Sequence, residues 1–425
     1  MYVRKVVLED IRGFRRLDFD LGPPIGPCAG WTVITGDNGS GKSALLRAIA
    51  VALVGPDTAR TLQPSFAGWV RHGAGNGSIA VTVEPDELDR MAGNGPTDTA
   101  PVVAKLDLDA GDGEVTVQAM SVPRQAAGRS IWSPRASGWF SCGYGPFRRV
   151  FGASPEATRR MVAPATARFV TMFDEAASLS EADQWLRRLQ YQRLEGNAEA
   201  GATLDLVLAI LNEDLLPNGM AADGVDSNGL WLRDQAGARL NWSDMSDGYR
   251  AALALLADIL RHLVDCFGVD RVAAQGEDGR TRIVRAGVVL IDEIDAHLHP
   301  EWQREIGFWL KDRFPLIQFI VTTHSPIICQ AADPNGLFVL PEPGSDELPA
   351  AVSEEERRRI IAARPDTILL SSAFRLANTR SEPIVRDRAE YARLQAKARS
   401  RGHMTEAEAD RCGQLRLSLA QDEEP

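Results

Sequence analysis

Eight consecutive residues near the N-terminus have the types and spacing of a phosphate-binding loop, or P-loop: Gly36, Asp37, Asn38, Gly39, Ser40, Gly41, Lys42 and Ser43. The glycines allow backbone N–H groups to turn toward an anion, and the N-terminus of a following helix adds partial positive charge. Lys42 would place a cation on the β- and γ-phosphates of a nucleotide, and the Ser43 hydroxyl would be a ligand of Mg²⁺. Chance would produce this pattern in roughly one or two per cent of chains of this length. The segment therefore predicts a nucleotide-phosphate site.

An acidic pair, Asp292 and Glu293, follows the continuous apolar run from Val288 to Ile291, which is typical of a strand buried on both faces. Asp292 would hold Mg²⁺, directly or through water, and Glu293 would polarise the water that attacks the phosphate. Acidic residues commonly begin a loop or helix for other reasons. The P-loop upstream is what makes the catalytic interpretation the stronger one.

His324 stands at the end of another strand-like segment, Gln318 to Thr323. An imidazole at this position can contact the γ-phosphate and report its presence. A lone histidine is more often structural, but its place one strand after the acidic pair favours the functional interpretation and a role in catalysis beside Glu293 and Lys42.

Ser246 and Gly248 lie at the start of a predicted helix in the middle of the chain. A helix N-terminus that presents serine and a glycine backbone is a second device for binding phosphate. Considered alone, an ordinary helix N-cap explains these residues better.

The elements that must position these residues follow from hydrophobic periodicity. Trp31 to Thr35 predicts a buried strand and Lys42 to Leu53 a helix, so the P-loop joins a strand to a helix. Residues 78–119 alternate as antiparallel strands do. The remaining predicted elements are helical structure over 181–216, a hairpin over 229–244, and helices over 247–267, 301–314 and 386–421.

In this order, the motifs resemble the ABC ATPase family over residues 1 to about 340. The segments IRGF, SDGYR, LIDEIDAHLHPEWQ and VTTHSP are similar to RecF-like and OLD-like ATPases, which include ATPase subunits of bacterial Septu and retron-linked anti-phage systems. The resemblance implies an α/β fold: an ABC ATPase head, with a P-loop NTPase sheet and an antiparallel β subdomain, an inserted helical lobe and a C-terminal helical tail. We expect the head in two halves, residues 1–140 and 246–345, with the lobe at 141–245 and the tail at 346–425.

The resemblance also implies ATP and Mg²⁺ as cofactors and a homodimer of heads. ATP would be sandwiched between the P-loop of one head and Ser246 with Gly248 of the other, and an oligomer higher than a dimer stays open. A separate effector protein, such as a nuclease, is the expected partner. The alternative is a RecF-like clamp that acts directly on DNA, in which paired arginines (148–149, 159–160 and 187–188) line a groove or are ordinary surface charge.

Several positions depart from the family pattern. Asp247 would repel a γ-phosphate, so we expect its side chain to cap the helix instead. His299 stands where many ABC proteins have aspartate in the D-loop, and the Q-loop could lie at Gln63 or within residues 141–149. The histidines at 297 and 299, together with the acidic residues at 292, 293 and 295, could alternatively form a metal cluster, which the family context disfavours.

Composition limits the partners. The formal net charge of −11 means that any DNA contact must be localised or supplied by a partner. The five cysteines are scattered, with no disulfide or metal spacing, which favours a reduced, cytoplasmic compartment. No apolar run is long enough to cross a bilayer, so we expect a soluble protein without a membrane partner.

Overall fold

The computed structural model describes residues 1–22, 28–93, 100–111, 114–119, 126–148, 150, 164–216, 219–345, 347–401 and 403–420. The strands in these residues are β1 (Tyr2–Ile11), β2 (Phe14–Asp20), β3 (Gly30–Thr35), β4 (Asn76–Glu84), β5 (Val102–Ala110), β6 (Val115–Ala119), β7 (Phe140–Tyr144), β8 (Ala221–Asp226), β9 (Gly229–Arg233), β10 (Arg239–Asn241), β11 (Ala273–Gln275), β12 (Thr281–Ile283), β13 (Gly287–Ile291), β14 (Ile317–Thr322), β15 (Leu337–Val339) and β16 (Ala350–Ala351).

The helices in the same residues are α1 (Lys42–Leu62), α2 (Ala126–Arg129), α3 (Pro164–Ala167), α4 (Val170–Phe173), α5 (Ser180–Leu194), α6 (Ala198–Leu211), α7 (Asp247–Phe267), α8 (Val269–Val272), α9 (Pro300–Arg313), α10 (Glu354–Ala362), α11 (Pro365–Leu369), α12 (Glu382–Arg401) and α13 (Glu406–Ala420).

A mainly parallel sheet, in the order β16-β15-β3-β14-β13-β7, forms the centre of the head. Only the pairing of β16 with β15 is antiparallel. Alternate residues of its strands enter two different apolar cores. Val288 and Leu290 pack toward α1 and the antiparallel strands, whereas Val289 and Ile291 pack toward the helices of the opposite layer. Burial on both faces explains the continuous apolar run that predicted this strand.

The predicted antiparallel subdomain is a sheet in the order β2-β1-β4-β5-β6. One buried amide joins it to the parallel sheet. Gln318 in β14 accepts a hydrogen bond from the N–H of Val3 at 2.7 Å and donates to the Val3 carbonyl at 2.9 Å, across 315 residues of sequence. Both ends of the amide are therefore satisfied without water.

Helix α1 is longer than the sequence predicted because it continues past Leu53 across a kink. Gly55 has a φ of 80°, and Pro56 has no N–H to donate to the carbonyl of Ala52. The indole N–H of Trp132 donates to that carbonyl instead, at 2.7 Å. The Trp132 side chain thus replaces the missing helical hydrogen bond, so α1 continues past Pro56 with a kink.

The helical structure predicted over 181–216 is divided between α5 and α6, because Gly196 adopts a φ of 88° and Asn197 caps the N-terminus of α6. The predicted hairpin is β9 with β10, and β8 adds a third strand to it. The first residues assigned to the lobe, 141–144, belong instead to β7, which pairs in parallel with β13.

A small buried network ties α7 to the end of β7. The carboxylate of Asp258 accepts hydrogen bonds from the Tyr144 hydroxyl at 3.0 Å and from the Arg261 guanidinium at 2.6 Å, and the Nε2 atom of His262 lies 3.3 Å away. Burial alone would raise the pKa of Asp258, but His262 and Arg261 outweigh it and hold that pKa well below its usual range.

The described chain forms two compact units, residues 1–368 with 372–374, and residues 369–371 with those from 375 onward. The division falls later than the expected boundary after 345, because β16 pairs with β15 and Ile360 is buried in the core of the first unit. The second unit contains the helices α12 and α13, which an ion pair between Lys397 and Glu408 links.

All five cysteines are free, and three of them (Cys28, Cys142 and Cys329) are buried. Among the described helices, none combines the length and apolar character that crossing a membrane requires.

Candidate functional site

Three of the predicted motifs emerge from neighbouring strands at one edge of the parallel sheet. Ile34 pairs with Thr322, and Val321 pairs with Ile291, so β3, β14 and β13 end side by side. Parallel strands place the loops that follow them at the same edge. The P-loop, the segment containing His324 and the pair Asp292–Glu293 are therefore brought together.

The glycines of the P-loop have the backbone conformations for which the sequence predicted them. Gly36, Gly39 and Gly41 have φ values of 145°, 82° and 97°. Gly41 is also limited by space, because a Cβ atom there would lie 2.5 Å from the Phe14 ring. Phe14 belongs to the IRGF segment, so that segment supports the P-loop from the antiparallel sheet.

Lys42 lies in the centre of the loop and is only 7% exposed. Its Nζ donates to the carbonyl oxygens of Gly36 at 2.8 Å and Asp37 at 3.0 Å. Burial lowers the pKa of Lys42, and the carboxylates of Asp292 and Glu293 act in the opposite direction. The ammonium group and the acidic pair thus share one electrostatic environment, which is suited to a polyphosphate and its metal ion.

Thr322 organises the acidic pair, a role that the sequence did not reveal. Its hydroxyl donates to Oδ1 of Asp292 at 2.6 Å and accepts the backbone N–H of Glu293 at 2.8 Å. Asp292 is 2% exposed, and its Oδ2 atom accepts no hydrogen bond from the described residues. One carboxylate oxygen therefore remains for a metal ligand sphere, as the prediction requires.

Arg148 supports the backbone that follows the acidic pair. Its guanidinium donates to the carbonyls of Asp292 at 2.7 Å and Glu293 at 2.9 Å, and to three more, those of Gly145, Ile294 and Ala296, at 3.0–3.3 Å. The side chain is only 4% exposed. The hypothesis that Arg148 lines a DNA groove is therefore wrong, because the side chain is buried and both Nη atoms are bonded to backbone carbonyls.

Of the other paired arginines, the structure describes Arg187 and Arg188, and Arg188 is exposed. Arg187 is held by an ion pair with Asp183 at 2.6 Å. Arg149, Arg159 and Arg160 lie outside the described residues.

The backbone N–H of His324 lies 3.4 Å from Oδ1 of Asp295, and the Thr323 hydroxyl donates to the same oxygen at 2.5 Å. The His324 side chain is exposed at the sheet edge. This position is compatible with the predicted γ-phosphate contact, which stays a prediction.

His299 occupies the N-cap of α9, where its Nδ1 accepts the backbone N–H of Glu301 at 3.4 Å. Capping a helix gives this histidine a structural reason to stand where other heads have aspartate. The alternative metal cluster is not supported, since no group of three His, Cys, Asp or Glu side chains in the described ranges has metal-binding spacing.

The Ser-x-Gly motif begins α7, with Ser246 at the N-cap position. The Ser246 side chain makes no capping hydrogen bond and is exposed. The expectation that Asp247 caps the helix is wrong, because its carboxylate pairs with Arg250 one turn later. The start of α7 adjoins a cavity of about 430 Å³ that His297 and Trp302 also line.

Gly248 approaches the D-loop of its own head very closely. A Cβ atom on Gly248 would lie 2.0 Å from the carbonyl oxygen of His297, whose φ is 69°. The glycine is therefore required for packing within one head, whatever it does at a second one.

Of the two Q-loop candidates, residues 145–148 lie beside the acidic pair, because β7 ends next to β13 and the Asp292 N–H donates to the Tyr144 carbonyl at 2.8 Å. Gln63 follows the last residue of α1, at the end of that helix opposite to the P-loop. Of the two Q-loop candidates, the segment within residues 141–149 is thus the one that the fold places at the site.

Comparison with known families agrees with this geometry. A family model described as "AAA domain" matches residues 5–130, and one described as "AAA domain, putative AbiEii toxin, Type IV TA system" matches residues 164–330.

Two curated relatives extend the comparison. The chain is 25% identical to Septu protein PtuA of Bacillus mycoides (strain KBAB4) over 77% of its length, and 39% identical to the Retron Ec83 probable ATPase of Escherichia coli over 25%. These matches span 38% and 18% of the two relatives.

Among solved structures, an Smc head bound to the C-winged helix domain of ScpA matches 84% of this chain and 99% of its own, with a TM-score of 0.50 and 18% identity. This likeness concerns the fold, and it confirms the predicted fold of the head. Segments of the chain thus match models of AAA domains, its fold is like that of an SMC or ABC head, and its sequence is similar to Septu and retron ATPases.

Proposed function

We propose that this chain is an ATP hydrolase, that two copies close head to head around ATP, and that the resulting dimer controls a separate effector, a nuclease, in anti-phage defence. The observation that carries the proposal is that the ends of β3 and β13, on either side of β14, place Lys42 and the pair Asp292–Glu293 at one edge of the sheet. These are the groups that hydrolysis of a nucleoside triphosphate needs at one place.

Binding of ATP would begin at the P-loop. Lys42 would leave the carbonyls of Gly36 and Asp37 and donate to the β- and γ-phosphates instead. Mg²⁺, when bound, neutralises charge on these phosphates and orients them. Ser43 and Asp292 are the residues that would hold it, and the free Oδ2 of Asp292 supports this assignment.

Hydrolysis would use Glu293 as the general base. The carboxylate takes a proton from water as the water oxygen bonds to the γ-phosphorus, and the bond to the ADP oxygen breaks. His324 would donate to a γ-phosphate oxygen. The Thr322 hydroxyl keeps the two acidic residues in register, because it contacts the side chain of one and the backbone of the other.

A second copy would complete the site with Ser246 and Gly248. The exposed Ser246 hydroxyl makes no bond to its own helix, which supports a role for it across a dimer interface. The free N–H groups at the start of α7 add a positive end for the γ-phosphate.

The control of an effector rests on relatedness. Septu and retron ATPases are relatives of this chain, but the matched segments are a minority of their length. The defence role and the nuclease partner are therefore proposed by resemblance, and the ATPase chemistry by the site.

Replacement of Glu293 by Gln tests the enzymatic proposal. We expect ATP hydrolysis to fall roughly 100-fold or more, because the general base is lost. ATP affinity should hold, and light scattering should detect an ATP-dependent dimer. Glu305→Gln, on the exposed surface of α9, is the matched control. Normal hydrolysis by the Glu293 variant would overturn the assigned mechanism.

A further inference from the structure

One buried arginine, Arg148, supports the loop that contains the proposed general base, with both of its Nη atoms bonded to backbone carbonyls. Four of its five acceptors are backbone carbonyls between Asp292 and Ala296, and the fifth is the carbonyl of Gly145, three residues before Arg148. A guanidinium has five N–H donors in a rigid, planar fork, so it can serve several carbonyls that converge on one point.

The loop could not keep this shape without a central donor. Carbonyl groups that converge in a buried space would be unsatisfied, and each unsatisfied group costs about 1–3 kcal/mol. Glu293 also has a φ of 48°, which is unfavourable for a residue with a side chain. Such a conformation persists only where the surroundings hold it in place.

The peptide groups of Glu293 are held from two sides. Thr322 accepts its N–H at 2.8 Å, and Arg148 donates to its carbonyl at 2.9 Å. These contacts come from β14 and from the segment after β7, so two separate strands set the position of one residue. The direction of its side chain follows from the backbone that they fix.

From this geometry we infer that Arg148 is a positioning residue of the hydrolytic reaction, acting through the backbone of Glu293 and not on the nucleotide. The inference rests on the proposed ATPase function. Arg148 donates to the loop that follows β13 and to Gly145, and it donates to none of the P-loop residues. It should therefore affect turnover and leave nucleotide binding nearly unchanged.

The experiment compares Arg148→Met and Arg148→Lys with the matched control Arg357→Met. Arg357 is another buried arginine, which donates to the Ala332 carbonyl and pairs with Glu354, away from the sheet edge. For each variant we would measure kcat per folded molecule, the affinity for a fluorescent ATP analogue, the melting temperature and amide hydrogen exchange of residues 288–300.

For Arg148→Met we expect kcat to fall roughly 100-fold, the loss that a displacement of about 1 Å produces. Affinity for the analogue should change less than about threefold, because the P-loop is intact. Exchange should increase in residues 288–300 and not in the P-loop. Millimolar guanidinium should restore part of the turnover, which a purely structural defect elsewhere would not allow.

Arg148→Lys is the second variant, to be used if Arg148→Met does not fold. We expect its kcat to be low as well, because an ammonium group has three donors and no planar fork. Arg357→Met should lower the melting temperature while kcat per folded molecule holds. Wild-type turnover in a folded Arg148 variant would overturn this inference alone. A wild-type protein without ATPase activity would overturn the proposed function and this inference with it.

Discussion

The carbonyl oxygen of His297 occupies the position next to Gly248 where any larger residue would place its side chain, 2.0 Å from an ideal Cβ atom. The start of the Ser-x-Gly helix and the D-loop therefore pack backbone to backbone within one head. The family resemblance assigns the Ser-x-Gly motif to the ATP site of a neighbouring head, but Gly248 is also needed for packing within its own head.

Gly248→Ala should consequently destabilise the protein by about 1–3 kcal/mol, because the added methyl group forces the two backbones apart. In a helix without such a contact the same change stabilises by about 0.5–1 kcal/mol. Gly201→Ala in α6 provides that comparison, since its nearest neighbour would be Arg193 at 3.6 Å. Denaturant unfolding of both variants measures the difference, and equal effects would contradict the packing argument.

Thr322→Val should slow hydrolysis with little effect on ATP affinity. The valine has nearly the same shape but cannot join Asp292 to Glu293. A hydrogen bond to a charged group contributes about 1.5–3 kcal/mol, so kcat should fall roughly 10- to 100-fold. Thr203→Val, which removes a buried hydroxyl that donates to the backbone carbonyl of Glu199 within α6, should leave kcat unchanged. Steady-state kinetics with both proteins decides the matter.

A mixture of two inactive variants tests whether Ser246 acts across the dimer. In a symmetric dimer, a Lys42→Ala subunit combined with a Ser246→Arg subunit has one site with both intact motifs. Mixing should therefore restore roughly a quarter of wild-type turnover, whereas each variant alone stays inactive. Failure of a verified mixed dimer to hydrolyse ATP would show that the serine does not act in trans.

Asp258→Asn should weaken the fold near neutral pH by about 3 kcal/mol, because Arg261 and His262 lose a buried partner. The pKa of the folded Asp258 lies below its usual value of 3.8. Its contribution is therefore fully present above about pH 4 and is lost as the pH falls through the folded pKa. Unfolding of the variant should accordingly depend less on pH at the acid end.

The exposed ion pair of Asp205 with Arg193 supplies the control for this pH series. Asp205→Asn should change stability by less than about 1 kcal/mol, because solvent screens that pair. A pH profile of Asp258→Asn that follows the wild type would show that the buried network contributes nothing to acid sensitivity.

The sequence predicted those parts of the site that are local. The P-loop is one continuous segment, and its glycines indicate positions where the backbone needs a positive φ. The apolar run before Asp292 likewise indicates a buried strand. Order along a parallel sheet then brought both to one edge. Contacts between distant residues carried no such signal, as with Arg148, whose acceptor at Asp292 is 144 residues away.

Errors arose where a local pattern had two solutions. Asp247 is a good N-cap type, yet Arg250 stands one turn away and pairs with its carboxylate. Residues 141–144 fall within the lobe expected at 141–245, but they belong to β7, and a strand of only 5 residues is too short to predict from periodicity.

The two hydrogen bonds between the Gln318 side chain and the backbone of Val3 have a consequence for biosynthesis. Ribosomes that extend a chain at roughly 5–20 residues per second need about 15–60 s to traverse the 315 residues between them. During that interval β3, whose partners β14 and β15 are still unmade, has no place in the parallel sheet. The nascent chain therefore exposes an apolar strand for much of its synthesis, and chaperone occupancy on the ribosome should decline only after β14 has left the exit tunnel.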